Sequence, residues 1–236
     1  MATATPTATA ASNGARAVAE ETDDFLFEYS YPVEAGQIVE LASLLDVDLA
    51  EQREDLAAKS VAARRAARQD GFPYNKFSYT LEWKVVSELP NWLSLSADIA
   101  TYTGGAHGNS TVRSLVWDKQ REQSQRAIAM FSSPAALEKA LGDRFCDALD
   151  RERAKRRGEP LAEDSNGLFD KCPGIGELEV LVGSSNRRSF NRLTLYAGPY
   201  VAGPYVEGAY EVHLPVDAAV LDAVKPEYRE AFTARN

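Results

Sequence analysis

At 236 residues, with 44% hydrophobic and 26% charged side chains, the chain is long enough to bury a real core and has ordinary globular composition. No stretch approaches the roughly 20 apolar residues that cross a bilayer, which argues against a transmembrane segment in this chain. A net charge of −9 opposes long-range attraction to nucleic acid or anionic lipid.

Residues 1–24 are rich in Ala and Thr and lack the basic-then-apolar pattern of a signal peptide. They read as a flexible tether, or as what is left of a trimmed targeting segment. One domain is expected over 25–236. It opens with an alternating strand over 25–31, ended by Pro32, which cannot donate to a sheet ladder.

Residues 38–68 then place Ile38, Leu41, Leu45, Leu49, Leu56 and Val61 at near-helical intervals, and Gly71-Phe-Pro73 ends the pattern. One long helix, or two in sequence, fits. Two strands follow by period-2 alternation. In the first, Phe77, Tyr79, Leu81, Trp83 and Val85 share a face; in the second, Leu93, Leu95, Ala97 and Ile99 do so. The second strand runs through Tyr102 into the glycine-rich loop Thr103-Gly-Gly-Ala-His-Gly108, and a further strand is expected over 111–118.

Ser133-Pro134 supplies an N-cap and a proline at the first helical position. Leu137, Leu141, Phe145, Ala148 and Leu149 form the apolar stripe of one helix ending near Arg157. Strands are expected over 177–182, 190–196 and 209–214, with a short closing helix over 217–224. Between the last two strands lies an irregular extended segment in which Gly-Pro-Tyr-Val occurs twice, at Gly198 and Gly203. Strands in groups, with helices inserted between the groups, predict an α+β fold. The expected form is an antiparallel or mixed sheet with helices mainly on one face.

Chemistry is sparse. Two basic clusters, Arg64, Arg65 and Arg68, then Arg151, Arg153, Lys155, Arg156 and Arg157, sit among acidic residues in helical stretches and read as solvated helix faces. The two histidines, His107 and His213, have no partner at i+3 or i+4 and no cysteine near in sequence, so no metal site or cofactor is indicated. His213 follows strand alternation and is expected to face solvent or a helix. His107, in its loop, reads as bonding local carbonyls before it reads as a ligand contact. No nucleophile elbow, Walker loop or dinucleotide fingerprint is present. Tyr196, Tyr200, Tyr205 and Tyr210 form either an exposed aromatic surface or the buried side of an extended segment. Cys146 and Cys172 form either one disulfide, closing a loop of about 26 residues, or two separate buried thiols.

Two of these segments resemble a known group. The strand Leu93-Ser-Leu-Ser-Ala-Asp-Ile-Ala-Thr-Tyr102 running into Thr103-Gly-Gly-Ala-His-Gly108 is similar to the hallmark of the PdaC/RsiV-like extracytoplasmic domains. So is Tyr200-Val-Ala-Gly-Pro-Tyr-Val-Glu-Gly208 before a strand ending in Pro215. The opening Phe27-Glu-Tyr-Ser-Tyr-Pro32 resembles the first strand of that group, and Trp117-Asp118 the end of a later one. Ile128–Phe131 and Val201-Ala202 depart from its pattern.

The resemblance implies an extracytoplasmic location, in the periplasm or at the cell surface, by export or through a lipid anchor upstream. It thereby favours the Cys146–Cys172 disulfide. It implies a non-catalytic binding or sensing domain for a cell-envelope component such as peptidoglycan fragments, or for a protein such as lysozyme. The alternative is a deacetylase-like hydrolase of envelope glycan. The deacetylase label of the group belongs to members with a separate zinc-dependent domain, whose Asp plus His-x-x-x-His ligand set is missing from this sequence. The candidate ligand-binding residues are Tyr102, His107, Tyr200, Tyr205 and Glu207; the structural glycines are Gly104, Gly105, Gly108, Gly203 and Gly208.

Overall fold

The computed structural model describes residues 7–9, 14–161 and 167–235. The fold is mixed α+β with two sheets, one mixed, with strand order β1-β2-β3-β4-β5-β6-β7, and one antiparallel, with order β10-β9-β8. The strands are β1 (Thr7–Thr9), β2 (Arg16–Glu21), β3 (Phe25–Tyr31), β4 (Phe77–Glu88), β5 (Trp92–Tyr102), β6 (Asn109–Asp118), β7 (Gln123–Gln125), β8 (Glu179–Gly183), β9 (Arg192–Ala197) and β10 (Tyr210–Pro215). The helices are α1 (Val33–Gly36), α2 (Val39–Asp70), α3 (Pro134–Leu141), α4 (Asp143–Arg157) and α5 (Ala218–Ala223). Where one domain over 25–236 is expected, two compact units are found, and β4, β5 and β6 each have residues in both.

The first unit comprises residues 1–85 and 97–111. β3 buries Phe25, Phe27, Tyr29 and Tyr31 and turns the alternate residues outward, as its pattern predicts. It pairs with β4 in parallel, Phe25 opposite Phe77 through Ser30 opposite Glu82. A parallel pair needs a crossover, and α2 supplies it. This helix is continuous over 32 residues and closes at Gly71, whose φ of 75° puts it in the left-handed region. Leu41, Leu45, Leu49 and Leu56 are buried, at about 2 kcal/mol each in apolar transfer. Val61, expected on that stripe, is instead 57% exposed, and Ser60 is buried, its hydroxyl donating to the Leu56 carbonyl at 2.6 Å. The stripe drifts because a 3.6-residue turn does not keep strict register over so long a helix. Aromatic tips tie strand to helix: Trp83 Nε1 donates to Tyr29 Oη at 3.0 Å, and Tyr29 Oη donates to Asp48 at 2.8 Å. Tyr31 donates to Asp46, and burial followed by that carboxylate pushes its phenol up to about 12.

The tether expected over 1–24 needs correction. Arg16–Glu21 is a strand in antiparallel register with β3, Arg16 opposite Tyr31 through Glu21 opposite Leu26. Its pairing uses backbone groups, which composition does not report. Residues 1–6 and 10–13 of that segment lie outside the described residues.

The second unit comprises residues 86–96 and 112–236. β9 lies between β8 and β10, antiparallel to both. Its core joins Phe131, Leu141, Phe145, Leu149, Leu193 and Val212, among others. Ser133 Oγ accepts from Ala136 N at 3.0 Å, the N-cap expected from Ser-Pro. The single helix expected from there to Arg157 is broken: Gly142, at φ 53° and ψ −141°, separates α3 from α4. That backbone conformation is open essentially to glycine alone.

Candidate functional site

The site with the most built-in structure lies in the second unit, along α4 and the segments it anchors. Phe145, Leu149 and Arg153 fall at i, i+4 and i+8, so the arginine shares the helix face that enters the core and is 0% exposed. A buried guanidinium must have its donors satisfied. Nε donates to the Ala202 carbonyl at 2.9 Å, Nη2 to Lys171 O at 3.0 Å, and Nη1 to Asp170 O at 3.2 Å and to Asp150 Oδ1 at 2.9 Å. One side chain thereby fixes two loops onto the helix.

Arg157, one turn on, forms a fork on Glu207, at 2.9 and 3.1 Å, and reaches Asp170 Oδ1 at 3.0 Å. The Glu207 hydrogen bond, against the opposing effect of burial, holds the guanidinium pKa above its ordinary value. Burial alone would raise the Glu207 carboxyl, but hydrogen bonds from Arg157 and Tyr210 outweigh it and hold the group below its ordinary range. Burial and the bond to Glu207 push the Tyr210 phenol up. Arg156 lies 4.0 Å over the Tyr210 ring and donates to the Glu207 carbonyl. The Cys146–Cys172 disulfide closes the frame, with Cα atoms 5.5 Å apart, and points to an oxidising compartment. The solvated face expected for this basic cluster is thus corrected for Arg153 and Arg157. Arg64, Arg65 and Arg68 do follow the expectation: Arg64 pairs with Asp24 at 2.7 Å, and Arg65 and Arg68 are exposed.

On this frame the four tyrosines divide. Tyr196 and Tyr210 face the core, at 7% and 0% exposure, while Tyr200 and Tyr205 are exposed, at 53% and 36%. Their ring centroids are 5.7 Å apart, and Phe169 stands 6.5 Å from Tyr200. Leu168 and Val206, next in sequence to Phe169 and Tyr205, are 86% and 90% exposed. Tyr200 has a φ of 68°, costly for an aromatic residue, and its N–H donates to Gly203 O at 3.0 Å. A Cβ on Gly203 would run into Glu207 and the Tyr210 ring, so the close approach of the clamp requires glycine there. Glu207, expected among ligand contacts, is engaged with Arg157 and Tyr210.

Tyr102 and His107 belong to the first unit. Tyr102 Oη donates to Gly105 O at 3.0 Å, and His107 Nδ1 lies 2.8 Å from Gly108 O, the local backbone bonding expected of a loop imidazole. Gly104 and Gly105 sit at φ 91° and 95°, and Gly208 in the second unit at 69°. A Cβ on Gly108 would stand 2.9 Å from Thr101 O. His213 is exposed on β10, 2.9 Å from Thr194 Oγ1. Among the described residues no group of three or more His, Cys, Asp or Glu is arranged to hold a metal ion. Nor is any helix among them long and apolar enough to cross a membrane. Sequence reasoning missed Arg153, Leu168 and Phe169; extending the Phe145–Leu149 spacing by four residues would have placed Arg153 inside.

Residues 18–110 match the family model described as Deacetylase PdaC. Over those residues the chain is similar to that family. That match takes in the 104–108 loop and stops before the aromatic surface. Two solved structures of the DUF3298 family share the fold. One, from Pseudomonas aeruginosa PAO1, is 16% identical with a TM-score of 0.53, over 94% of this chain and 97% of its own. The other, from Bacteroides fragilis NCTC 9343, is 14% identical with a TM-score of 0.52, over 85% and 88%. No curated protein matches.

Proposed function

We propose that the protein is an extracytoplasmic, non-catalytic binding or sensing domain, and that its second unit docks a basic protein such as a lysozyme through the Tyr200–Tyr205 surface. The observation that carries this reading is the exposure of Leu168, Tyr200, Tyr205 and Val206, with half-buried Phe169 beside Tyr200, on a frame braced by Arg153, Arg157 and a disulfide. Contiguous exposed apolar side chains mark interaction sites, and tyrosines supply large contact area at low conformational cost. Bracing lowers the ordering cost of association. The net charge of −9 complements a basic partner and would speed its encounter. The disulfide and the PdaC-like match support the location.

Calorimetry tests the proposal. Lysozyme is expected to bind, with Tyr200→Asn/Tyr205→Ser weakening it by about tenfold or more; asparagine tolerates the positive φ at 200. Binding of muropeptides alone would move the reading to peptidoglycan fragments, and flat titrations with both classes would refute it.

A further inference from the structure

A separate feature of the second unit points to a small-molecule site. A cleft of about 280 Å³ opens between four stretches of chain: the β4–β5 turn, the turn after β6, the loop before β9, and a 3₁₀ turn at Pro226–Ala231. Its wall includes Trp92, Asp118, Arg121, Arg188, Glu227 and Glu230. We propose that it binds a short peptide carrying both a free amino and a free carboxyl end.

The walls are fixed before any ligand arrives. Leu89 N donates to Trp92 O at 2.8 Å, and Lys119 N to Asn91 O at 2.9 Å. Asp118 Oδ1 accepts from the N–H groups of Gln120 and Arg121 at 2.9 and 3.0 Å. Asn186 Oδ1 holds the third wall by accepting from Arg188 N at 2.8 Å and Ser189 N at 3.0 Å. The Trp92 ring is braced by Tyr228 and Phe190, at 6.0 and 6.2 Å.

Charge selects the ligand. Asp118 is engaged by the turn and by Arg121, at 3.4 Å, a contact that leaves other guanidinium donors of Arg121 for a ligand. The side chains of Arg188, Glu227 and Glu230 have no ion pair or hydrogen bond among the described residues, although opposite charges line the same cleft. Two arginines and three carboxylates therefore line one space, and among them only Arg121 and Asp118 pair with each other. A simple anion would meet two glutamates and a simple cation two arginines; a ligand with both charges satisfies both ends. Trp92 offers an apolar wall for an aliphatic side chain. The volume lies at the small end for ligand pockets, which suits a dipeptide rather than a long glycan. The proposal does not use the tyrosine surface and stands apart from it.

Glycylleucine, N-acetylglycylleucine and glycylleucinamide titrated into the intact protein test it, read by tryptophan emission and by calorimetry. Trp83 and Trp117 are 3% and 2% exposed, so the partly buried Trp92 is the expected reporter. Glycylleucine should bind saturably, and each blocked form about tenfold or more weakly. Arg188→Gln should remove the penalty for amidation, and Glu227→Gln/Glu230→Gln the penalty for acetylation. These side chains are exposed, so melting curves should be unchanged. No saturable binding up to about 10 mM would overturn the proposal, as would equal affinity for the blocked forms. An emission change undiminished in Trp92→Phe would place the ligand elsewhere and overturn it too.

Discussion

Replacing Arg153 by methionine should destabilise the second unit strongly. Methionine fills most of the stem volume, so little is lost in packing. What is lost is the set of donors. Ala202 O, Lys171 O and Asp170 O each accept from this guanidinium at 2.9 to 3.2 Å, and they remain on the backbone after the substitution. A buried carbonyl left without its donor costs about 1–3 kcal/mol. Asp150, 45% exposed in its side chain, can turn to water and adds little. Three carbonyls, with partial rehydration of the loops, give a loss of about 3–5 kcal/mol, close to that for breaking a buried charged pair. For a chain of this size each kcal/mol lowers Tm by roughly 2–4 °C, so a drop of about 6–20 °C is expected by circular dichroism. Hydrogen exchange should rise first at residues 167–173 and 198–208. Arg151→Gln, on the exposed side of the same helix, is the control and should stay within about 0.5 kcal/mol. A loss below about 1 kcal/mol for Arg153→Met, or one equal to the control, would refute the assignment of Arg153 as the brace.

Glu207, whose folded pKa is depressed below its ordinary 4.5, contributes stability that is present above that value and lost as pH falls through the folded pKa. Urea melts from pH 6 to about pH 3 should show this acid-labile component, and Glu207→Gln should flatten it; an unchanged pH slope would count against the clamp. Gly142→Ala should cost about 1–3 kcal/mol, because alanine cannot adopt φ 53°, ψ −141° without strain; a melt matching wild type would show that α3 and α4 join without it.

Several elements were legible in the sequence. The alternation of residues 25–31, the Ser133 cap, the Gly71 stop and the final strand are local patterns, in which each residue's polarity reports its own burial. The resemblance carried by the two glycine-marked segments favours the Cys146–Cys172 disulfide, and the structure contains it. The tertiary structure decided what depends on distant partners. The pairing of Arg16–Glu21 rests on backbone groups that no composition records. Val61 and Ser60 exchange places because the stripe of α2 drifts over 32 residues. The tyrosines of the C-terminal segment recur every four or five residues, yet two face the core and two face solvent. Arg153 looked like one more surface cation among five; it is buried because its acceptors come from as far as 49 residues along the chain. Sequence patterns state how apolar a position is, whereas only the folded chain brings up the carbonyls that let a charge go inside.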